Sequence, residues 1–321
     1  MRFRLGRRDV ILSTGLLLTL PVAVRAQAVL RIGWLSSAPH QFIEDFRGRL
    51  QQLGYVEGGN LHIEYRYAEG DAARLPGMVD ELVKARVNVL ATSGSAATDA
   101  AVAAPRGVPI VFVTSDPMAL GQTTTLARPG GVATGVSTMS VDLAPKKIEM
   151  ISNAVSALRR LAIVHDASSG GIHQADLMSA SATRVGIENR VFAMGGPAAL
   201  VSGFTEIAAA RSQAAIFVSS PFFAANARQL AETTVANRLP AMFDNPSFVQ
   251  AGALMSYGAD LRAAFRRQAE LVHRVAQGGK LSEMPIEQAT KFVLAFNQKT
   301  ALSFGLKPSP LLMVAVDDLV D

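Results

Sequence analysis

The chain has 321 residues, 18% of them charged and 6% aromatic, with a formal charge of +5 and no cysteine. That length allows two lobes with a sizeable core each, and the scarcity of aromatics requires aliphatic, Ala-rich interiors. The missing cysteines exclude disulfides, thiolate metal sites, cysteine nucleophiles and a lipid-modified cysteine.

Residues 1–28 hold Arg2, Arg4, Arg7, Arg8 and Arg25 against Asp9, a net of +4, so the remainder is close to neutral. The basic pI belongs largely to this leader and gives no support to nucleic-acid binding. A basic start, an apolar run from Val10 to Val24 and small residues at Ala26 and Ala28 read as a cleavable signal peptide. Arg7-Arg8 followed by Asp9, Val10, Ile11 and Leu12 also fits a twin-arginine signal. The apolar run, interrupted by Pro21, falls short of the ~20 residues of a membrane span. A soluble periplasmic protein is expected.

Val29 to Leu35 reads as a strand ending in Ser36 and Ser37. Phe42, Ile43, Phe46 and Leu50 have helical spacing within 38–53, and Gly54 closes that helix. Leu61 to Tyr67 alternates as a half-exposed edge strand does, and Leu75 to Lys84 is an amphipathic helix. Val87 to Ala91 is a strand that runs into Thr92-Ser93-Gly94-Ser95, from which a helix over Ala96 to Ala104 opens. Ile110 to Val113 has no polar alternation, as expected of a parallel strand buried on both faces. It stops in Thr114, Ser115 and Asp116, and Pro117 prevents further ladder pairing. A strand over Val132 to Met139 completes a doubly wound parallel sheet.

The pattern then restarts. Helices are predicted over 144–158, 174–185, 201–211 and 224–238, and strands over 160–165, 189–194, 214–218, 240–243 and 253–257. A long helix (260–277), a strand (286–296) and a helix (297–304) follow. The fold class is α/β, with two doubly wound lobes switching near Ser140 to Leu143. Chains of this architecture return to the first lobe, giving 29–140 plus about 259–285 against 141–258 plus about 286–321.

Several stretches together resemble a known family. Gly54-Tyr-Val-Glu-Gly58, Ile63-Glu-Tyr-Arg66 and Ala68-Glu-Gly70 are similar to an opening signature of ABC-transporter substrate-binding proteins, in the tryptophan/tyrosine or aromatic amino-acid branch. Pro109 to Phe112 with Asp116-Pro117, Leu126 to Gly131, Leu239 to Ala241, Ala251 to Gly258 and Pro285 to Gln288 continue the match in order. The resemblance implies a periplasmic-binding-protein fold of type I with three hinge crossings. It also implies no enzymatic activity, no cofactor, and delivery of a small solute to an ABC permease in the inner membrane. A monomer is expected. One departure is His165-Asp-Ala-Ser168, where an Asn-Pro-rich turn belongs.

Ligands of open α/β sheets collect beyond the carboxyl ends of strands, which selects the candidate residues. Ser36 and Ser37 are placed to bond ligand or to cap the next helix. Gly94-Ser95 offers backbone N–H groups and a helix N-terminus to a carboxylate, or serves only as a turn and cap. Thr114, Ser115 and Asp116 offer a partner to a ligand ammonium, with helix capping as the competing role of Asp116. Ser137 and Thr138 are ligand or hinge residues. Asp166, Ser219, Asp244, Asn245 and Tyr257 end strands of the second lobe. His165 reads as an ordinary strand-end residue, Trp34 as core packing, and Phe222-Phe223 as a cleft wall or a buried helix face.

Arg128-Pro-Gly-Gly131 reads as a surface turn. No Gly-x-Ser-x-Gly elbow, P-loop or His-Glu-x-x-His is present, and the histidines form no metal-type pair. The expectation is a solute receptor that closes on an amino acid or another aromatic or apolar carboxylate, with carboxylate at Gly94-Ser95 and ammonium near Asp116. A ligand-sensing module of the same fold, feeding a membrane receptor, is the alternative.

Overall fold

A computed structural model describes residues 29–103, 107–127, 129, 131 and 133–321. The leader, residues 1–28, lies outside them, as do Arg128 and Gly130 of the Arg-Pro-Gly-Gly turn.

The first lobe opens with β1 (Leu30–Ser36), α1 (Ile43–Gln52), β2 (Leu61–Tyr67), α2 (Leu75–Lys84) and β3 (Val89–Ser93). It continues with α3 (Ser95–Ala103), β4 (Ile110–Thr114) and β5 (Ala133–Ser137). The second lobe holds α4 (Ala144–Ala154), β6 (Arg160–His165), α5 (Ser169–Arg184), β7 (Glu188–Ala193), α6 (Pro197–Ala209) and β8 (Ala214–Phe217). Then come α7 (Pro221–Ala225), α8 (Ala227–Ala236), β9 (Ala241–Phe243), α9 (Pro246–Gln250) and β10 (Met255–Ala259). The tail is α10 (Leu261–Ala276), β11 (Glu287–Gln288), β12 (Phe292–Asn297), α11 (Gln298–Phe304), α12 (Pro310–Val314) and β13 (Asp318–Val320).

Two sheets result, ordered β11-β5-β4-β3-β1-β2 and β13-β12-β10-β9-β8-β6-β7. The first is parallel throughout, and in the second β12 runs antiparallel to β10. Both faces of the first sheet are covered, which is why β3 and β4 read as unbroken apolar runs. On one face Ile32 and Trp34 pack with Phe46 and Leu50 of α1 and with Phe265, Leu271 and Val272 of α10. On the other, Leu35, Leu90 and Phe112 pack against Met78, Val79 and Leu82 of α2 and Ala97 and Ala101 of α3. The second lobe gathers around Ile163, Ile216, Phe217, Phe243 and Phe296.

Placing α10 and β11 with the first lobe makes the chain cross between lobes three times, at 138–143, at Asp260 and at 289–291. The strand expected over 286–296 is therefore two strands in two different sheets. Ile286 is buried in the first core and Phe296 in the second, with Ala289, Thr290 and Lys291 bridging them. The helix expected over 224–238 breaks at Asn226, whose side-chain amide donates to the Phe222 carbonyl and ends α7. Beyond Pro117 the backbone forms turns and no helix, with Gly121 N–H bonded to Met118 O and Gln122 N–H to Pro117 O. The terminal α12 and β13, which add to the edge of the second sheet, carry no strong periodicity in the sequence. Among the described residues no helix is long and apolar enough to cross a membrane.

Candidate functional site

Strand order reverses between β1 and β3 in the first sheet and between β6 and β8 in the second. At such points the connecting loops part and leave a crevice. The two crevices meet. Ser37, Ser93, Gly94, Ser95 and Ala96 share one small cavity with Asp166, Ser168 and Ser219 of the other lobe. A larger cavity, partly open to solvent, adjoins it through Ser93, Gly94, Ser95, Ser219 and Pro221.

The larger cavity is lined by two kinds of residue. Phe42, Val113, Pro221, Ala224, Leu261 and Phe265 are apolar, with His40 set among them. Ser93, Ser95, Thr114, Ser115, Thr138, Ser219 and Ser220 supply hydroxyls, and among the described residues Asp244 is the one carboxylate in the lining. Ser95 Oγ lies 2.8 Å from Ser115 Oγ and 3.2 Å from Thr114 Oγ1, so the first lobe presents a connected hydroxyl cluster. Gly94 has φ +86 and donates its N–H to Val113 O, so it turns the chain while remaining in the sheet. The N–H groups of the first turn of α3 are the orphan donors that any helix start leaves.

Asp244 is buried, accepting from Ser219 Oγ at 2.6 Å and from the Asn245 amide at 2.8 Å. Burial raises its pKa above the ordinary carboxylate value, opposed by the nearby Lys147 ammonium and by those hydrogen bonds. Lys147 on α4 is 1% exposed, and burial lowers its pKa against the pull of Asp244. A buried carboxylate of this kind gains from a further cation.

The remaining candidates fall elsewhere. Asp116 is not in the cavity lining; its Oδ1 accepts from the N–H groups of Met118 and Ala119, each at 3.1 Å, the capping role. Ser36 Oγ donates to Ala38 O, and Ser137 Oγ donates to Ser115 O, so both tie local backbone. Asp166 borders the smaller cavity with its oxygens taken by Ser168 Oγ (2.6 Å) and Ser220 Oγ (2.5 Å). Asn245 caps α9 through the Ser247 N–H and lines a separate outer groove. Tyr257 packs on Phe292, away from the cleft. His165 Nδ1 accepts from Ala167 N–H, a strand-end turn. Trp34 is fully buried, and Phe222 and Phe223 belong to the second core.

Sequence reading missed His40, Phe42, Ala224, Leu261 and Phe265 as cavity residues. Phe42 and Phe265 carry the spacing of helix core faces, and nothing local distinguishes a face that ends at a cleft.

The lobes touch directly. Ser169 Oγ at the start of α5 donates to Asp99 Oδ2 of α3, whose Oδ1 accepts from Gln122. A methyl on Gly170 would overlap Ser95, and one on Gly94 would sit 2.6 Å from Pro221 Cγ. The arrangement is a closed one.

Residues 38–318 match the family model described as ABC transporter substrate binding protein. The chain belongs to that family. Its members bind solutes and are not enzymes. The chain is 21% identical over 268 residues to a tyrosine-binding protein of Clostridioides difficile, covering 80% of this chain and 74% of the relative. It superposes on a conserved domain protein from Vibrio cholerae O1 biovar eltor with TM-score 0.82 and 21% identity, covering 91% and 99% of the two chains. The ABC domain of Streptococcus pneumoniae in complex with L-Trp superposes with TM-score 0.79 and 18% identity, over 90% and 100%. These superpositions establish the periplasmic-binding-protein fold of this family member.

Proposed function

We propose that the protein captures an aromatic or apolar amino acid between its lobes, as a monomer in the periplasm, and hands it to an ABC permease. The carrying observation is the larger cavity, which is lined by Phe42 and Phe265 together with hydroxyls, the α3 start and Asp244. In this reading the ligand carboxylate meets Ser95, Ser115 and the N–H groups of α3, where the helix dipole favours negative charge. The ammonium meets Asp244, in place of the Asp116 expected from the sequence. The names of the tyrosine-binding and L-Trp-bound relatives support the ligand class. Both lobes contribute to the cavity, so the ligand favours the closed form by bonding surfaces that only closure brings together.

Calorimetric titration with a panel of L-amino acids tests this. An aromatic zwitterion should bind, and analogues lacking either the carboxylate or the ammonium should bind far more weakly. Asp244→Asn should cost about a hundredfold or more in affinity, while Asp116→Ala leaves it unchanged. Asp244→Asn also strands Lys147, so its melting temperature should fall. No heat from any zwitterion overturns the amino-acid reading.

A further inference from the structure

Lys147 occupies a position that the pattern of its helix reserves for an apolar residue. Ala144, Lys147, Ile148, Ile151 and Ala154 recur at helical spacing and are all buried, so Lys147 lies on the face of α4 that packs into the second lobe. Ala144, Ile148 and Ile151 share that core with Phe217 and Phe243. The strands that end in those two phenylalanines run on to Ser219 and Asp244, in the lining of the larger cavity. Lysine is almost never fully buried unless its charge is compensated. An apolar side chain of similar volume would fill the space without that cost, so packing alone does not account for Lys147.

The charge that acts on Lys147 is Asp244, and Lys147 in turn favours the ionised form of Asp244. The side-chain hydrogen bonds to Asp244 come from Ser219 Oγ and the Asn245 amide, both neutral, so Lys147 acts on it by charge. Two other titratable groups border the cavities. His40 is kept neutral by burial above about pH 4, and Asp166 is occupied by Ser168 and Ser220. Resting on the reading that an ammonium meets Asp244, we propose that Lys147 is a positioning residue. From the core side of α4 it keeps Asp244 a carboxylate, so the cleft accepts a cationic group throughout the neutral range. Without Lys147, burial favours the neutral acid, a far poorer partner for a cation. The same charge repels the ligand's ammonium, so its removal weakens binding in acid and ceases to do so as pH rises.

Calorimetric titration with L-Tyr and L-Trp between about pH 5.5 and 8.5, on the wild type, Lys147→Met and Lys147→Arg, tests this. Affinity of the wild type should vary less than about threefold over that range. Lys147→Met should lose up to about tenfold per pH unit on acidification and recover to the wild-type affinity or beyond in alkali. Lys147→Arg, which keeps the charge, should keep the flat profile. A Lys147→Met profile parallel to that of the wild type, displaced or not, makes Lys147 structural only and overturns the proposal. So does a wild type that itself loses tenfold per unit; in both cases the zwitterion still binds and the amino-acid reading stands. Binding of neither amino acid at any pH overturns both. Should Lys147→Met fail to fold, Lys147→Gln takes its place, and the wild type is titrated at neutral pH in buffers of different ionisation enthalpy. Almost no proton should be exchanged, whereas release of about one proton means that Asp244 was protonated beforehand and overturns the proposal.

Discussion

His40 and Asp244 are both buried in the cleft wall, and burial acts on them in opposite senses, discouraging the imidazolium and the carboxylate alike. For His40 the consequence is a pH-dependent stability. Its pKa falls from 6.5 to about 4 on folding, so between these values the unfolded chain holds a proton that the folded chain does not. Stability is unaffected by this residue above that window and declines as pH drops through it, by roughly 3 kcal/mol in full. Thermal unfolding at pH 7 and pH 4.5 should therefore show a smaller acid-induced drop for His40→Phe than for the wild type. Equal drops would mean that His40 is not held neutral by burial. The Asp116 and Asp244 pair teaches a second lesson at this scale. Each follows a buried strand, yet one caps a turn and the other faces the cavity. Strand-end chemistry is legible in sequence, while the direction a carboxylate takes depends on its neighbours.

At the scale of elements, α3 and α5 come from different lobes and start against each other, with Gly170 on Ser95 and Ser169 on Asp99. Gly170 has no positive φ, so alanine suits its helix and should be neutral or slightly favourable to the second lobe by itself. In the closed form the added methyl meets Ser95. Gly170→Ala should keep its melting temperature and lose about tenfold or more in ligand affinity, read by calorimetry. Unchanged affinity would mean that the α3–α5 contact is absent from the liganded state. The helices themselves were legible from periodicity. Leu75–Lys84 matches its sequence reading, because a 3.6-residue apolar stripe reflects packing on a sheet. The long tail strand was not, since Ile286 to Phe296 looks continuous whether it serves one sheet or two.

For the whole molecule, loops from two lobes border a cleft and the chain crosses between the two sheets at 138–143, Asp260 and 289–291. The second and third crossings are tied together, Asp260 N–H donating to Lys291 O and Lys291 Nζ lying 3.2 Å from Asp260 Oδ2. Such short paired connections can rotate as a hinge while each lobe keeps its own core. Small-angle X-ray scattering should show the radius of gyration falling when a binding amino acid is added. Gly170→Ala should stay near the ligand-free value at the same ligand concentration. A radius insensitive to ligand in the wild type would overturn ligand-driven closure.

The sequence by itself determined the α/β class, the restart of the pattern after Ser140, the hydroxyl-rich strand ends and the absence of thiol chemistry. These follow from local periods and residue types, which the chain carries whatever its distant parts do. Only the tertiary structure decided that Phe42 and Phe265 line one cavity, and that Asp244 borders it while Asp116 does not. The physical reason is that a cleft is made of surfaces from two independently packed cores. No local pattern records which strand end meets which across the gap.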